Sequence, residues 1–133
     1  MANKILIIDF GGQYNQLIAR RVRENNVYCE VYPYSKALAK IKEIQPKGII
    51  FTGGPNSAYE ANAPKMDAEV FELGIPVLGL CYGMQLMAQS LGGNVAKADT
   101  KEFGKTQTHF ETDSLLFKGL PKEAITWMSH VDF

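Results

Sequence analysis

One cysteine of this sequence lies in a setting that suits a nucleophile. Cys81 is the centre of a Gly-Leu-Cys-Tyr-Gly segment, between an apolar run at residues 76–80 and an amphipathic stretch that starts at Tyr82. A nucleophile framed by glycines between a strand and a helix is the pattern of a nucleophile elbow, because the glycines allow the backbone to pass closely through a strained turn. The first N–H groups of the helix favour a thiolate over a thiol and can stabilise an oxyanion.

The competing interpretation of any single cysteine after a strand is a buried structural residue. The two flanking glycines favour the nucleophile for Cys81. Cys29 lies in an apparent strand without such glycines, so it is predicted to be structural.

A second turn could supply an oxyanion donor. Thr52-Gly53-Gly54-Pro55 follows a short aliphatic run, and paired glycines can turn backbone N–H groups toward a ligand. By itself Gly-Gly-Pro is more often an ordinary tight turn. Beside an elbow on a neighbouring strand it is interpreted as the second half of an oxyanion hole.

The elements that must position these residues follow from the apolar pattern. Continuous aliphatic runs predict buried strands, and apolar residues at helical spacing predict helices. The predicted strands are 4–9, 27–32, 48–51 and 76–80; the predicted helices are 13–24, a helix capped by Ser35 and ending at 41 or 44, 65–73 before Gly74, and 82–91. Residues 56–63 are predicted to form a loop, and 94–98, 105–111 and 124–128 shorter strands. This alternation predicts an α/β fold with an open, mostly parallel sheet, in which the glycine turns follow the carboxyl ends of strands.

Bulk composition sets broad limits. The 133 residues fit one domain, and Lys plus Arg equal Asp plus Glu at 14 each, so nothing indicates binding to nucleic acid or to an anionic membrane. No apolar run reaches the length of a membrane helix or signal peptide. A cytoplasmic location is the expectation, and two cysteines suit a reducing compartment.

At this point several motifs resemble one family. The segment from Gly79 to Gln85 resembles the nucleophile motif of class I glutamine amidotransferases, and Thr52 to Pro55 resembles their oxyanion strand. Within that class, the GMP synthetases are similar in their opening and in several later motifs. These are Asp9 to Tyr14, Gln16 to Glu24, Gly54 to Ser57 with Tyr59-Glu60, Glu102 to Gly104, and Trp127 to Asp132.

The resemblance implies a flavodoxin-like fold with helices on both faces of the sheet, and glutamine hydrolysis through a Cys81 thioester. It implies that the amides of Gly54 and Tyr82 hold the oxyanion. It assigns glutamine binding to six residues: Gly53, Gln85, Ser129, His130, Val131 and Asp132. It also implies that the released ammonia passes to an ATP pyrophosphatase (synthetase) domain or subunit that converts XMP to GMP. No cofactor is expected in this domain; ATP and Mg²⁺ belong to that partner.

The same resemblance exposes two departures from the family. A His-Pro-Glu segment supplies the catalytic base in the family, and this sequence has no such segment. Its only histidines are His109, in a probable strand, and His130, in the glutamine-side motif. No phosphate-binding Ser-Gly-Gly-x-Asp-Ser loop is present either. Residues 1–133 are therefore interpreted as the N-terminal part of an amidotransferase domain, truncated at its C-terminal end and inactive or weak by itself.

Two alternatives remain open on the sequence. One is the glutaminase component of another synthase, such as anthranilate synthase. The other is a non-catalytic flavodoxin-like or receiver-like binding module, which would need a hydroxyl-rich loop or an acidic cluster where this chain has only Asp9 and Phe10-Gly11-Gly12-Gln13.

Overall fold

The chain folds as two compact units, residues 1–95 and 96–133. The computed structural model describes residues 4–55, 65–95 and 97–132, and for 97–103 and 127–132 the description is limited to the backbone. The loop predicted at 56–63 lies outside the described residues. The first unit contains Cys81 and three glycine-bearing turns, at Gly11-Gly12, at Gly53-Gly54 and from Gly79 to Gly83.

A four-stranded parallel sheet forms the centre of the first unit. Its strands are β1 (Lys4–Asp9), β2 (Tyr28–Pro33), β3 (Gly48–Phe51) and β4 (Val77–Gly79), in the order β2-β1-β3-β4. Ile8 of β1 lies opposite Phe51 of β3, and Phe51 lies opposite Gly79 of β4, so the carboxyl ends of these three strands are level. β2 lies on one side of β1 and β3 lies on the other, so the strand order reverses at β1. The crevice between the carboxyl ends of β1 and β3 is therefore the switch point at which α/β sheets bind ligands.

Three α-helices cover the sheet. They are α1 (Asn15–Glu24), α2 (Tyr34–Ile44) and α3 (Tyr82–Ser90). Alternate residues of β1 point to opposite faces. Leu6 and Ile8 share a core cluster with residues of α2 and α3, whereas Ile7 packs with Ala19 of α1. Helices on both faces of a parallel sheet confirm the predicted fold class. In the part of the chain that the structure describes, no helix is long and apolar enough to span a membrane.

Two sequence-based predictions about helices were wrong in detail. Ser35 does not cap α2, because the N-cap position is Pro33, in an extended conformation, and no side chain caps the helix. The helix predicted at 65–73 is a 3₁₀ helix, Ala68–Glu72. The Asp67 carboxylate accepts a hydrogen bond from the Glu69 N–H (2.9 Å) and fixes the start there, which leaves too few residues before Gly74, at φ +76°, for a stable α-helix.

The second unit is an antiparallel ribbon of two long strands, β5 (Lys97–His109) and β6 (Glu123–Asp132). It replaces the three short strands predicted at 94–98, 105–111 and 124–128. The Thr108 and Thr126 hydroxyls share a hydrogen bond across the strands (2.5 Å), and Gln107 donates to the Glu123 carboxylate (2.8 Å). These cross-strand pairs stabilise the part of the ribbon whose side chains the structure describes, residues 104–109 and 123–126.

An ion pair at the edge of the sheet makes the stability of the first unit dependent on pH. Lys4 of β1 contacts the Glu30 carboxylate of β2 at 2.8 Å, and the Tyr32 hydroxyl donates to the same carboxylate at 2.6 Å. The hydrogen bond from Lys4, followed by that from Tyr32, holds the pKa of Glu30 below its usual value of 4.5. A carboxyl whose pKa is lowered by folding stabilises the fold above its unfolded pKa, and this contribution disappears as the pH falls through the folded pKa.

We therefore expect Glu30→Gln to lower the midpoint of urea unfolding at neutral pH. The difference from wild type should shrink as the pH drops below about 4.5, where the unfolded carboxyl takes up a proton. Urea titrations of both proteins across this range measure it. Combining Lys4→Met with Glu30→Gln should cost less than the sum of the single changes, whereas simple additivity would show that the pair does not stabilise the fold.

Candidate active site

Cys81 occupies the turn between β4 and α3 in a conformation that few residues adopt. Its φ is 54° and its ψ is −119°, and its side chain is exposed. Such a backbone costs of the order of 1–3 kcal/mol and persists only where the surroundings impose it. The Cys81 carbonyl accepts from the Gln85 N–H (3.2 Å), so α3 begins immediately behind the thiol and its dipole favours negative charge at this end.

The two glycines that frame Cys81 are required by close packing. A Cβ atom on Gly79 would lie 2.7 Å from the Met84 Cα, and one on Gly83 would lie 2.5 Å from the Phe51 carbonyl oxygen. Real Cβ contacts are essentially never this short, so any other residue would push α3 away from β3 and β4. The steric basis of the Gly-x-Cys-x-Gly spacing is thus confirmed.

Three glycine-bearing turns meet at this edge of the sheet. A Cβ atom on Gly53 would lie 3.4 Å from the Cβ of Cys81, which places the Gly53-Gly54 turn beside the nucleophile elbow. The turn after β1 packs against the other side, because a Cβ atom on Gly12 would collide with the Gly53 carbonyl and one on Gly54 would lie 2.7 Å from the Phe10 carbonyl oxygen. The predicted grouping of the turns at the strand ends is therefore observed.

Thr52 ties the turn after β3 to its neighbours. Its hydroxyl is buried and donates to the Ile8 carbonyl of β1 (2.6 Å), and its own carbonyl accepts from the Gly83 N–H of α3 (3.0 Å). Hydrogen bonds to two elements, β1 and α3, fix the Gly53-Gly54 turn relative to the start of α3.

A buried aromatic cluster supports the three turns from below. The ring of Phe10 lies 5.4 Å from that of Phe51, edge-on, and 5.5 Å from that of Tyr82. Each ring lies in or directly beside one of the three turns, so packing within the cluster links the turns in addition to their hydrogen bonds.

The two cysteines differ as the sequence indicates. Cys29 is completely buried in β2, and its thiol donates to the Ala19 carbonyl of α1 at 3.4 Å. Its prediction as a structural residue is confirmed. Cys81 is the exposed thiol of the pair.

The remaining residues that the sequence assigned to the site are distributed over both units. Gln85 is half-buried on α3, one turn after Cys81. Ser129 to Asp132 lie in strand β6, where His130 is paired with Glu102. The structure describes only the backbone of these four residues. The roles assigned to them stay predictions.

The histidines lie in the second unit. His109 lies in strand β5, as predicted, and is exposed, with Nδ1 3.1 Å from the Glu123 carboxylate. The side chain of His130 lies outside the described residues. The first unit contains no histidine.

Sequence reasoning missed one polar residue behind the site. Asn15 is 7% exposed, and its side-chain N–H donates to the Gly12 carbonyl at 3.2 Å. Its only signal in the sequence is a polar side chain at the start of a helix, which normally indicates solvent or a cap.

An open α/β sheet with a strained, exposed cysteine at a strand-to-helix turn defines the class of protein. Over residues 6–133 the chain matches the family described as "Glutamine amidotransferase class-I". The chain belongs to the class I glutamine amidotransferase family.

Within this family, the chain is similar to individual relatives of one kind. The chain is 62% identical over 129 residues to a "GMP synthase [glutamine-hydrolyzing]" from Finegoldia magna and 64% identical over 126 residues to one from Acetivibrio thermocellus. These alignments cover 97% and 95% of this chain and 25% of each relative, so the chain spans a quarter of their length.

Solved structures agree with this comparison. A protein from Thermoplasma acidophilum, described as a GMP synthase subunit, superposes with a TM-score of 0.77 at 30% identity, over 99% of this chain and 66% of that one. A glutamine amidotransferase from Thermotoga maritima has the same fold (TM-score 0.70, 20% identity), over 100% of this chain and 62% of that one.

Proposed function

We propose that this chain is the glutamine-hydrolysing part of a GMP synthase and that Cys81 is its nucleophile. The observation that carries the proposal is the Cys81 turn: an exposed thiol at φ 54°, held at the start of α3 by glycines that pack against Phe51 and Met84. A structural cysteine needs neither exposure nor backbone strain, as Cys29 illustrates.

The reaction proceeds in two balanced steps. The Cys81 thiolate attacks the side-chain carbonyl carbon of glutamine, a C–S bond forms, and the C–N bond then breaks as the nitrogen takes a proton and leaves as ammonia. Water next attacks the thioester, which releases glutamate and restores the thiol. Net, glutamine and water give glutamate and ammonia.

A negative charge develops on the carbonyl oxygen, and its stabilisation is assigned to two backbone N–H groups. Gly54 provides one from the turn after β3, and Tyr82 provides the other as the first residue of α3. The short distance between Gly53 and Cys81 supports this pairing, because an oxyanion donor must lie within reach of the carbon that the thiolate attacks. Removal of one such donor typically lowers kcat about a hundredfold or more.

Gly53 and Gln85 of the first unit are proposed to bind glutamine, and for residues 129–132 the same role is a prediction from the family resemblance alone. Gln85 lies on the first turn of α3, on the same element that starts at the nucleophile. An amide side chain can both donate to and accept from the polar groups of an amino acid.

The ammonia is proposed to serve the amination of XMP to GMP in a partner domain or subunit. The named activity of the Finegoldia and Acetivibrio relatives, of which this chain spans a quarter, supports this destination. In this proposal ATP and Mg²⁺ bind to the partner, which is an ATP pyrophosphatase. This chain and its partner both act in the cytoplasm. The alternative assignment to another synthase has no comparable support in these relatives.

A labelling experiment tests the nucleophile. In a diazo-ketone analogue of glutamine, a diazomethyl ketone replaces the side-chain amide; the thiol sulfur bonds to the diazo carbon, that carbon takes the thiol proton, and N₂ leaves. We expect mass spectrometry to find one adduct, on Cys81, and excess glutamine to slow its formation. An adduct that forms equally on Cys29, or whose rate is unaffected by glutamine, would contradict the proposal.

A further inference from the structure

Asn15, a buried residue behind the glycine turns, has a buried side-chain oxygen without a hydrogen-bond partner among the described residues. Asn15 starts α1 and its side-chain N–H donates to the Gly12 carbonyl at 3.2 Å, whereas the atom without a partner is its carbonyl oxygen, Oδ1. Buried unpaired oxygens are rare in folded proteins because they cost free energy, and each calls for a reason beyond local stability.

The group that Asn15 holds lies directly against the peptide between Gly53 and Gly54. A Cβ atom on Gly12 would collide with the Gly53 carbonyl oxygen, would lie 2.8 Å from the Gly53 carbonyl carbon and 3.4 Å from the Gly54 nitrogen. These three atoms are the peptide group that carries the Gly54 N–H. The backbone of Gly12 therefore limits how that peptide group can rotate.

Two residues of the loop after β1 approach the same turn. Phe10 does so at Gly54, where a Cβ atom would lie 2.7 Å from the Phe10 carbonyl oxygen, and Gly12 does so at Gly53. Phe10 is held by its place in the aromatic cluster. Two side chains hold the glycines of this loop: the Asp9 carboxylate accepts from the Gly11 N–H at 2.7 Å, and the Asn15 side chain donates to the Gly12 carbonyl at 3.2 Å. The Asn15 hydrogen bond is the one made to Gly12 itself.

We propose that Asn15 is a positioning residue for glutamine hydrolysis: through Gly12 it fixes the orientation of the Gly53-Gly54 peptide, and with it the Gly54 N–H. The inference rests on the proposed role of that N–H in stabilising the oxyanion. Asn15 itself contacts neither glutamine nor Cys81 in this assignment. It acts by keeping a hydrogen-bond donor aimed before the reaction begins, which is where such donors gain their effect.

The test compares Asn15→Leu with the wild-type chain. Leucine has nearly the shape of asparagine but cannot donate to the Gly12 carbonyl, so a purely structural role predicts lower resistance to urea and no loss of labelling rate that is specific to the analogue. A positioning role predicts that the maximal rate of Cys81 labelling by the diazo-ketone analogue, kinact, falls about tenfold, because the ketone oxygen occupies the site of the oxyanion. The half-saturating concentration, KI, should change little.

Iodoacetamide, which lacks the glutamine side chain, provides the matched reagent. Its rate with Cys81 should be the same in both proteins, since the elbow is intact. Gln16→Leu is the matched control variant, because Gln16 is the next residue of α1 and is exposed, and it should label at the wild-type rate with both reagents.

The outcomes separate the inference from the proposed function. If wild type labels with glutamine protection and folded Asn15→Leu labels equally fast, the positioning role is overturned while the function stands. Asn15→Ala provides a second variant with the same expectation if the leucine does not fit. An equal loss of rate with both reagents, or loss of the fold in both variants, would make Asn15 an ordinary structural residue. Absence of glutamine-protected labelling in wild type would instead remove the proposed function.

Discussion

Replacing Cys81 by serine is expected to slow reaction with the diazo-ketone analogue of glutamine by at least about a thousandfold. The turn, the glycines and the start of α3 should be unchanged, because serine differs from cysteine by one atom. What is lost is the thiolate, since a serine hydroxyl remains protonated near neutral pH without a strong base and the first unit contains no histidine. The measurement is the rate of adduct formation, followed by the mass of the intact protein.

Cys29→Ser provides the matched control for this experiment. Cys29 is completely buried and its thiol donates to the Ala19 carbonyl, a hydrogen bond that a serine hydroxyl can keep. Labelling of Cys81 should therefore continue at the wild-type rate. If Cys29→Ser abolished labelling, or if Cys81→Ser still formed the adduct, the assignment of the nucleophile would be wrong.

The features that were predicted correctly are those that a short stretch of sequence specifies. The aliphatic run of β1 predicts its strand to the last residue, because a strand buried on both faces needs apolar side chains at every position. The turn at Cys81 was equally local, because five consecutive residues contain the cysteine and both glycines that the turn requires.

Features that depend on contacts between distant residues were predicted less well. Where the side chains of β5 and β6 are described, at 104–109 and 123–126, they alternate between exposed and half-buried positions, so this part of the ribbon has no fully buried face to mark the extent of the strands. Their extent is set by cross-strand pairs such as Thr108 with Thr126, which a local pattern does not show. The 3₁₀ helix was missed for a related reason, because one side-chain cap at Asp67 decided where it begins.

The same limit applied to the site. The position of the Gly53-Gly54 turn beside Cys81 could be predicted from the sequence, but the residues that pack against the turn could not. Asn15 and Gly12 are far from Gly53 in the chain, and the three are brought together only when β1 and β3 pair. A buried polar residue of this kind has no periodicity, and its position at a helix start resembles an ordinary solvent-facing one.

Gly83→Ala is expected to destabilise the first unit by about 3 kcal/mol. In an exposed helix this substitution would stabilise by about 1 kcal/mol, because alanine favours the helix over glycine. Here the new Cβ would lie 2.5 Å from the Cβ and the carbonyl oxygen of Phe51, and strand backbone cannot yield as a flexible side chain can. The steric cost exceeds the helix preference, so α3 must move away from β3.

The matched control for Gly83→Ala is Gly74→Ala. Gly74 has φ +76° and open space around its Cβ position, so alanine there meets only backbone strain, of about 1 kcal/mol. Thermal unfolding should therefore show a fall in Tm of about 10 °C or more for Gly83→Ala and a clearly smaller fall for Gly74→Ala.

Movement of α3 in Gly83→Ala should also separate Cys81 from the Gly53-Gly54 turn. The Gly83 N–H donates to the Thr52 carbonyl at 3.0 Å, and this hydrogen bond would be stretched or lost as the helix shifts. Below its Tm the variant should therefore react slowly with the diazo-ketone analogue while its folded fraction, followed by circular dichroism, stays high. If the Gly83→Ala protein were as stable and as reactive as wild type, α3 would not need its close contact with β3. Gly83 would then have no steric role in the turn.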